Sequence, residues 1–289
     1  MSPRLFGLAL TGAGVLVLSP DSILIRLLGA DVATTLFWRG IAMAIGLGGF
    51  LLIRERGRTA AITAQMRNPL GWGLALLFAL SNILFVITVA NTTIADTLGC
   101  LATASIFAAL FSVIFLKERA PLRTWIAAAA IAGGLLLIAL GGAGSVLGRL
   151  TGIATAVVFG ATFVVMRATG RGDTLPGLAL GGALIASATA VFAAPLSLST
   201  QGFAALAGLA VVLPTAFALI GQGPRYLPAP EVSLLMLLET VFGTLWAWLW
   251  LAEVPTRPTL LAVGIILIAL TLFYWRQAVA ARRLQEATP

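Results

Sequence analysis

The stretch EVSLLMLLETVFGTLWAWLWLAE (residues 231–253) is uncharged except for a glutamate at each end and a third, Glu239, in its interior. About 20 mostly apolar residues make a helix that crosses the roughly 30 Å hydrocarbon core of a bilayer, at about 1.5 Å per residue. The stretch therefore predicts a transmembrane helix. A charged side chain inside such a helix costs roughly 2.5–3.5 kcal/mol on insertion scales, so Glu239 needs an explanation.

The composition of the whole chain is that of a membrane protein. Of its 289 residues, 60% are hydrophobic and 10% are charged, whereas a soluble domain carries about 25% charged residues. The net charge of +8 comes from basic residues in short loops, which indicates membrane orientation and not nucleic-acid binding. The chain has no histidine, which excludes histidine metal ligands and bases, and we expect no cofactor. Cys100 is the only cysteine, so no intrachain disulfide can form.

Ten apolar segments predict an all-α integral membrane protein with ten transmembrane helices. The segments are 4–25, 33–53, 70–90, 94–116, 125–143, 149–167, 177–196, 203–222, 229–251 and 259–276. We expect the first to be a span and not a cleaved signal peptide, because no A-x-A-like site follows it. Placing the N-terminus in the cytoplasm puts fourteen of the 18 Lys and Arg residues on the cytoplasmic side. Both termini, including the tail 277–289, are therefore predicted to be cytoplasmic.

The sequence contains an internal repeat. FSVIFLKERAPLRTW (111–125) aligns with WAWLWLAEVPTRPTL (246–260), which places Glu118 on Glu253. The repeats, 4–143 and 149–276, hold five spans each. Because five is odd, the second repeat must cross the membrane upside down relative to the first. Inverted repeats recur in secondary transporters, whose substrate sites lie near the bilayer midplane between the repeats.

Four motifs carry a resemblance to a known family. They are LKERAPLRTW (116–125), LAEVPTRPTLLAVGIILIAL (251–270), TLFWRG (35–40) and RYLPAPEVSLLMLLET (225–240). With them the chain resembles the drug/metabolite transporter superfamily, in particular its EamA-type ten-helix carriers and, among these, the YddG-type amino-acid exporters. The sequence departs from the family pattern where Thr240 replaces an expected proline and where Ala104-Ser105 lacks both residues of the motif, so no proline kink is predicted at either place.

The resemblance implies a secondary transporter that exports amino acids, aromatic or hydrophobic ones included, or related small metabolites across the bacterial inner membrane by alternating access. It implies a small-molecule substrate and a surrounding lipid bilayer, with a monomer or a weak homodimer as the assembly. Protons are a candidate coupling ion, and passive transport remains the alternative. The sequence has no nucleotide-binding loop, so ATP is not expected to drive transport directly.

Glu239 has two interpretations. In the first it lines a wet substrate pathway, where it binds a cationic group or exchanges a proton. In the second it is a neutral or hydrogen-bonded glutamate that packs against another helix, beside the small polar residues Ser233, Thr240 and Thr244.

Arg39, near the outer end of the second span, and Asp21, just after Pro20 in the first, form a similar pair of alternatives. Arg39 is a planar donor suited to a substrate carboxylate, with Asp21 as an acceptor for a substrate amine. Alternatively, the two side chains pair with each other as a structural bridge, or Arg39 extends outward to the membrane surface.

Other polar and aromatic residues inside the spans complete the candidate site. An amide facing lipid would be left unsatisfied, so Ser81-Asn82 must face protein or water. The predicted aromatic wall comprises Phe78, Phe85, Phe159, Phe163 and Trp246, with Trp38 beside Arg39; core packing is the alternative for each. Glycine pairs at 48–50, 131–134, 141–142 and 181–182 predict close helix packing.

Three other functions compete with metabolite export. Efflux of cationic drugs is favoured if Glu239 is the main charge in the cavity. A membrane-embedded enzyme is disfavoured because the carboxylates are scattered and histidine is absent. A channel is disfavoured because the sequence has neither a charged ring nor a filter-like loop. We treat Glu118, Glu253, Asp96 and Glu231 as structural residues at helix ends.

Overall fold

The computed structural model describes residues 3–56, 67–118, 145–170 and 173–252 in full, together with single positions between these ranges and up to residue 268. Within this part of the chain all regular secondary structure is helical. The α-helices are α1 (Pro3–Leu18), α2 (Asp21–Leu28), α3 (Val32–Arg54), α4 (Pro69–Asn91), α5 (Ile94–Ala102), α6 (Ala104–Phe111), α7 (Val146–Ala168), α8 (Leu175–Thr189), α9 (Thr200–Ile220), α10 (Ala229–Leu235) and α11 (Leu237–Leu251). A π-helical turn (Ser112–Leu116) follows α6, and a 3₁₀ turn (Gly223–Arg225) follows α9.

These helices account for eight of the predicted spans. Seven helical segments of the described residues have the length and apolarity to cross a membrane, and α8 is a shorter apolar helix. The predicted spans 125–143 and 259–276, with Glu253 and the tail 277–289, lie almost wholly outside the described residues. The total of ten spans, the inversion of the repeats and the cytoplasmic termini therefore stay predictions.

The seventh span was predicted too long. The segment 177–196 was expected to be helical, but α8 ends at Thr189. Pro195 lacks a backbone N–H and disfavours the helical conformation at Ala194, so the helix cannot continue through the end of the predicted segment. The Pro195 carbonyl instead accepts a hydrogen bond from the Trp38 indole at 3.3 Å.

Three spans are interrupted near their middles. The first is divided at Ser19-Pro20 into α1 and α2, the fourth at Thr103 into α5 and α6, and the ninth at Met236 into α10 and α11. Only the first interruption has a proline, which cannot donate a backbone hydrogen bond. At the third, the Glu239 N–H bonds to the Met236 carbonyl three residues back, at 2.9 Å. At Ala104-Ser105 and Thr240, where the sequence lacks the family's proline and a kink was in doubt, the spans are nevertheless interrupted nearby, at Thr103 and Met236.

Helix starts are set by short polar side chains. Asp31, Thr93, Ser145 and Ser199 each accept a hydrogen bond from the backbone N–H three residues on, and so cap α3, α5, α7 and α9. Such caps satisfy N–H groups that have no partner within the helix. The Thr34 hydroxyl and N–H both donate to Asp31, and these bonds hold the pKa of that carboxyl below its usual value.

The two halves of the chain pack against each other in matched sets. Helix α3 packs on α8. These helices are the second spans of the first and the second predicted repeat. Helix α4 packs on α7, and α9 packs on α1 and α2, so each third span meets the first span of the other half. The interrupted fourth and ninth spans also meet, through α5 with α11 and α6 with α10. This pairing fits the predicted repeats.

Glycines permit the closest of these contacts. A methyl group on Gly40 would lie 2.5 Å from the Ala186 nitrogen, and one on Gly182 would lie 2.9 Å from the Gly40 carbonyl. The close packing predicted at 181–182 is therefore present. The prediction at 48–50 is wrong, since Gly48 and Gly49 face open space. The pairs at 131–134 and 141–142 lie largely outside the described residues.

The distribution of side chains is that of a protein in a bilayer. Large apolar side chains such as Ile45, Ile53 and Phe115 are exposed on the outside, whereas Asp21, Arg39 and other polar side chains are buried inside the bundle. Lipid gives polar groups no hydrogen-bond partners, so a chain in lipid turns them inward. The chain is a multi-pass membrane protein.

Candidate functional site

The described residues line a small, partly open cavity between the two halves. Each half contributes to its wall, and the polar residues come from spans on both sides. The lining residues are Leu18, Asp21, Arg39, Ser81, Asn82, Phe85, Leu101, Thr155, Phe159, Phe217 and Glu239.

The interruptions of three spans lie beside this cavity. Leu18 and Asp21 flank the break between α1 and α2, and Leu101 comes just before the break at Thr103. Glu239 lies in the first turn of α11, just after the break at Met236. Asp21 and Glu239 are thus both placed near the N-terminus of a half-helix, where the helix dipole favours a negative charge. The favourable helix dipole partly explains why the apolar span 229–251 carries Glu239.

Arg39 and Asp21 form an ion pair inside the bundle. The Arg39 Nη1 donates to Asp21 Oδ1, and the two side chains are only 2% and 3% exposed. Arg39 Nη2 donates to Asn82 Oδ1 at 3.2 Å, and its guanidinium lies 5.8 Å from the centre of the Phe85 ring. The predicted bridge between the first two spans is therefore present, and it neutralises Arg39 within the protein.

Ser81 and Asn82 are oriented by their own helix. The Asn82 Nδ2 and the Ser81 hydroxyl both donate to the Phe78 carbonyl, at 3.0 and 2.9 Å. Because the Asn82 amide nitrogen is used in this way, its oxygen is the atom directed at Arg39. Asn82 thereby fixes the position of the guanidinium.

Glu239 is the cavity charge that lacks a counterpart. Its side chain is buried, and among the described residues its Oε2 has no hydrogen-bond partner. A carboxyl group buried in this way must be neutralised by a proton or meet a cation. With Asp21 paired to Arg39, the cavity carries one carboxyl group in excess.

The rest of the wall is aromatic and apolar. Phe85, Phe159 and Phe217 line the cavity. Phe159 meets Phe163, and Phe217 meets Phe78, each edge to face with ring centroids 4.9 Å apart. Edge-to-face contact is a favoured packing of aromatic rings, so Phe163 and Phe78 support the apolar side of the cavity from behind.

Four of the predicted site residues do not line the cavity. Phe78 and Phe163 are buried behind it, where they pack against its wall. Trp38 bonds to Pro195 as described above, and the Trp246 indole donates to the Ser19 hydroxyl at 3.0 Å. Conversely, the prediction omitted Leu18, Leu101, Thr155 and Phe217, which have no sequence signal that separates them from other residues of apolar spans. A substrate-binding role for any of these residues stays a prediction.

Comparison with known proteins finds a family match for the second half of the chain. Residues 146–275 match the EamA-like transporter family. The chain is similar to one solved crystal structure over 98% of its own length and 98% of the length of that structure's chain, with a TM-score of 0.71 and 21% sequence identity. At this identity the similarity supports the fold alone. None of the curated proteins is significantly similar to this chain in sequence. The protein is thus a multi-pass membrane protein whose second half matches the EamA-like transporter family, which supports a place in the drug/metabolite transporter superfamily and indicates a membrane transporter of small molecules.

Proposed function

We propose that this protein is a secondary transporter that exports amino acids or related small metabolites across the bacterial inner membrane by alternating access. The observation that carries the proposal is the cavity between the halves, which combines a buried carboxyl group, a buried guanidinium and an aromatic wall. A site of this kind beside interrupted helices is typical of secondary transporters. The matched packing of α3 on α8 and of α4 on α7 supports a rocking motion between two repeats.

The cavity chemistry complements a zwitterion with an apolar side chain. In this proposal, Glu239 accepts hydrogen bonds from the substrate ammonium group. Arg39 shares its guanidinium between Asp21 and the substrate carboxylate, and the hydrogen bond to Asn82 supports its position. Phe85, Phe159 and Phe217 supply apolar surface for a hydrophobic or aromatic side chain.

Efflux of cationic compounds is the second candidate, and one observation favours it. Asp21 already neutralises Arg39, so the excess charge of the cavity belongs to Glu239. A cation lacking a carboxylate would satisfy Glu239 and leave the Arg39–Asp21 pair intact. The two candidates therefore differ in whether Arg39 contacts the substrate.

Transport into proteoliposomes separates the candidates. The panel consists of aromatic and aliphatic amino acids, their decarboxylated amines and quaternary cations, each with and without a pH gradient. We expect uptake of amino acids by the wild type and a loss of at least tenfold in Glu239→Gln. Glu55→Gln, which changes a half-buried glutamate at the end of α3, is the matched control and should transport normally.

The results of this panel distinguish amino-acid export from cation efflux and test the role of Glu239. Uptake of amines and quaternary cations without any amino acid would replace the first proposal by the second. Dependence on the pH gradient that disappears in Glu239→Gln would assign proton coupling to Glu239. If Glu239→Gln transports amino acids as well as wild type does, the carboxyl group is structural and the proposed ammonium site is wrong.

A further inference from the structure

A layer of charged side chains lies at one end of the bundle, away from the cavity. Its seven members are Arg4 at the start of α1, Arg54 at the end of α3, Glu118 after the π turn, Arg167 at the end of α7, Asp173 before α8, Arg225 after α9 and Glu231 at the start of α10. Their mutual contacts place them together, and the predicted topology assigns this end to the cytoplasm. None of them lines the cavity.

The first contact in this layer joins α1 to α10. Arg4 Nη2 donates to both carboxylate oxygens of Glu231, at 2.8 and 2.9 Å. The Glu231 side chain is only 10% exposed, whereas that of Arg4 is 44% exposed. Arg4, from the first half of the chain, therefore shields the carboxylate of Glu231, from the second half, from solvent.

Two other contacts also pair an arginine of one half with a carboxylate of the other. Arg167 Nε donates to Glu118 at 3.0 Å, and its Nη1 donates to the Pro224 carbonyl at 2.9 Å. Arg54 donates to Asp173, which also lies 3.4 Å from Arg225. Both Glu118 and Asp173 thus face an arginine of the opposite half.

Three of these ion pairs join the two halves of the chain. In each, one partner lies within residues 3–118 and the other within residues 145–252. If the halves separate at this end, Arg4–Glu231, Arg54–Asp173 and Glu118–Arg167 must all break. Partly exposed ion pairs are individually weak, and on release their charges can be hydrated. Such pairs can therefore be broken and remade in every cycle, which a buried pair such as Arg39–Asp21 could not do cheaply.

We propose that Arg4–Glu231, Arg54–Asp173 and Glu118–Arg167 form an ionic lock that holds the predicted cytoplasmic end closed, and that its release opens the cavity toward that end. This inference rests on the proposed alternating access. It assigns Glu118 and Glu231 a role beyond the structural one predicted for them at helix ends, and it accounts for charged residues that the cavity does not use.

Sided cysteine labelling of the full-length protein tests the lock without any substrate. The reporter is Leu101→Cys, which lines the cavity, in a Cys100→Ser background. A membrane-impermeant thiol reagent is applied to the cytoplasmic face of inside-out vesicles. We expect Arg4→Glu to raise the labelling rate roughly threefold, and the swap Arg4→Glu/Glu231→Arg to return it toward the starting value.

Two comparisons complete the experiment. Arg56→Glu makes the same charge change at an exposed position two residues beyond Arg54 and should leave labelling unchanged. Glu118→Arg and its swap with Arg167→Glu should repeat the pattern of rise and return, and they serve as the readout if Arg4→Glu does not fold.

The outcomes separate the lock from the transport proposal. Reversals that label like Arg56→Glu, or folded swaps that fail to restore slow labelling, would overturn the lock. If the lock behaves as expected while no amino acid, amine or cation is transported, the proposed function fails and the lock remains as a property of the fold. If amino acids are transported but the labelling rate does not respond to the charge reversals, the lock is wrong and the proposed function remains.

Discussion

Replacing Asp21 by asparagine would leave the Arg39 guanidinium buried without its carboxylate. The change keeps the shape of the side chain and removes only its charge. Asn82 and the Phe85 ring would still contact Arg39, but neither carries a negative charge. The Glu239 carboxyl lines the same cavity but forms no ion pair with Arg39 among the described residues, so it does not replace the Asp21 contact. The substitution therefore tests whether the bridge between the first two spans is a structural requirement.

The expected loss is large because both partners are almost completely buried. Removing one member of a buried ion pair costs about 3–5 kcal/mol, since the other charge is left uncompensated. The retained Asn82 hydrogen bond places the expected loss near the lower end, at about 3 kcal/mol. With an unfolding entropy of about 2.1 cal/mol/K per residue, that corresponds to a fall of about 5 °C in the unfolding midpoint of the 289-residue chain. The double variant Asp21→Asn/Arg39→Gln removes both charges and should recover most of the loss.

The chain contains its own reporter for this measurement. Cys100 is the only cysteine and is buried, so a thiol-reactive dye will label it as the protein unfolds in detergent. The single and double variants are compared with the wild type by this labelling during heating. A loss below about 1 kcal/mol in Asp21→Asn, or a double variant no more stable than the single one, would refute the reasoning. Asp21 would then be free to serve a substrate.

Two further predictions concern stability. Gly40→Ala places a methyl group against the backbone of α8 and should destabilise the protein by about 1–3 kcal/mol, whereas Gly48→Ala on the same helix meets open space and should be neutral or stabilising in the same dye assay; equal effects would contradict the packing described. Asp31→Ala removes a helix cap and should cost about 1 kcal/mol at neutral pH. Because hydrogen bonds from Thr34 lower the pKa of Asp31, its contribution is complete above the usual value of 3.8 and is lost as the pH falls through the lowered value. Asp31→Asn, which still caps the helix, should lack this acid-dependent loss, and midpoints measured from pH 7 down to pH 3 check it.

Polar residues inside apolar spans were the part of the site that the sequence could predict. Asp21, Arg39, Asn82 and Glu239 stand out because lipid offers no partner for them, so each had to face the interior. All four line one cavity. The interpretation of Arg39 and Asp21 as a mutual bridge was also available from the sequence, although nothing in it chose between the bridge and a substrate site.

The aromatic wall was less accessible to prediction. The spans are apolar on every side, so a phenylalanine facing lipid, a neighbouring helix or the cavity looks the same in sequence. Phe85 and Phe159 line the cavity, whereas Phe78 and Phe163 support them from behind. Phe217 was missed for the same reason.

Helix interruptions showed a similar limit. Pro20 signals its break because it lacks a backbone N–H. Thr103 and Met236 carry no such signal, and their interruptions arise where α5 and α11 meet in the bundle. There the Thr240 hydroxyl donates to the Leu98 carbonyl at 3.1 Å. Contacts between distant parts of the chain set these positions, and local propensity does not contain them.

The interruptions at Ser19-Pro20, Thr103 and Met236 have a mechanical consequence. An intact transmembrane helix moves as a stiff rod, so access at one face of the membrane would be coupled to displacement at the other. A rod jointed beside the cavity lets one arm tilt while the opposite arm stays packed. Under the proposed alternating access, the change at one face of the membrane would then be confined to the arms on that side of the cavity.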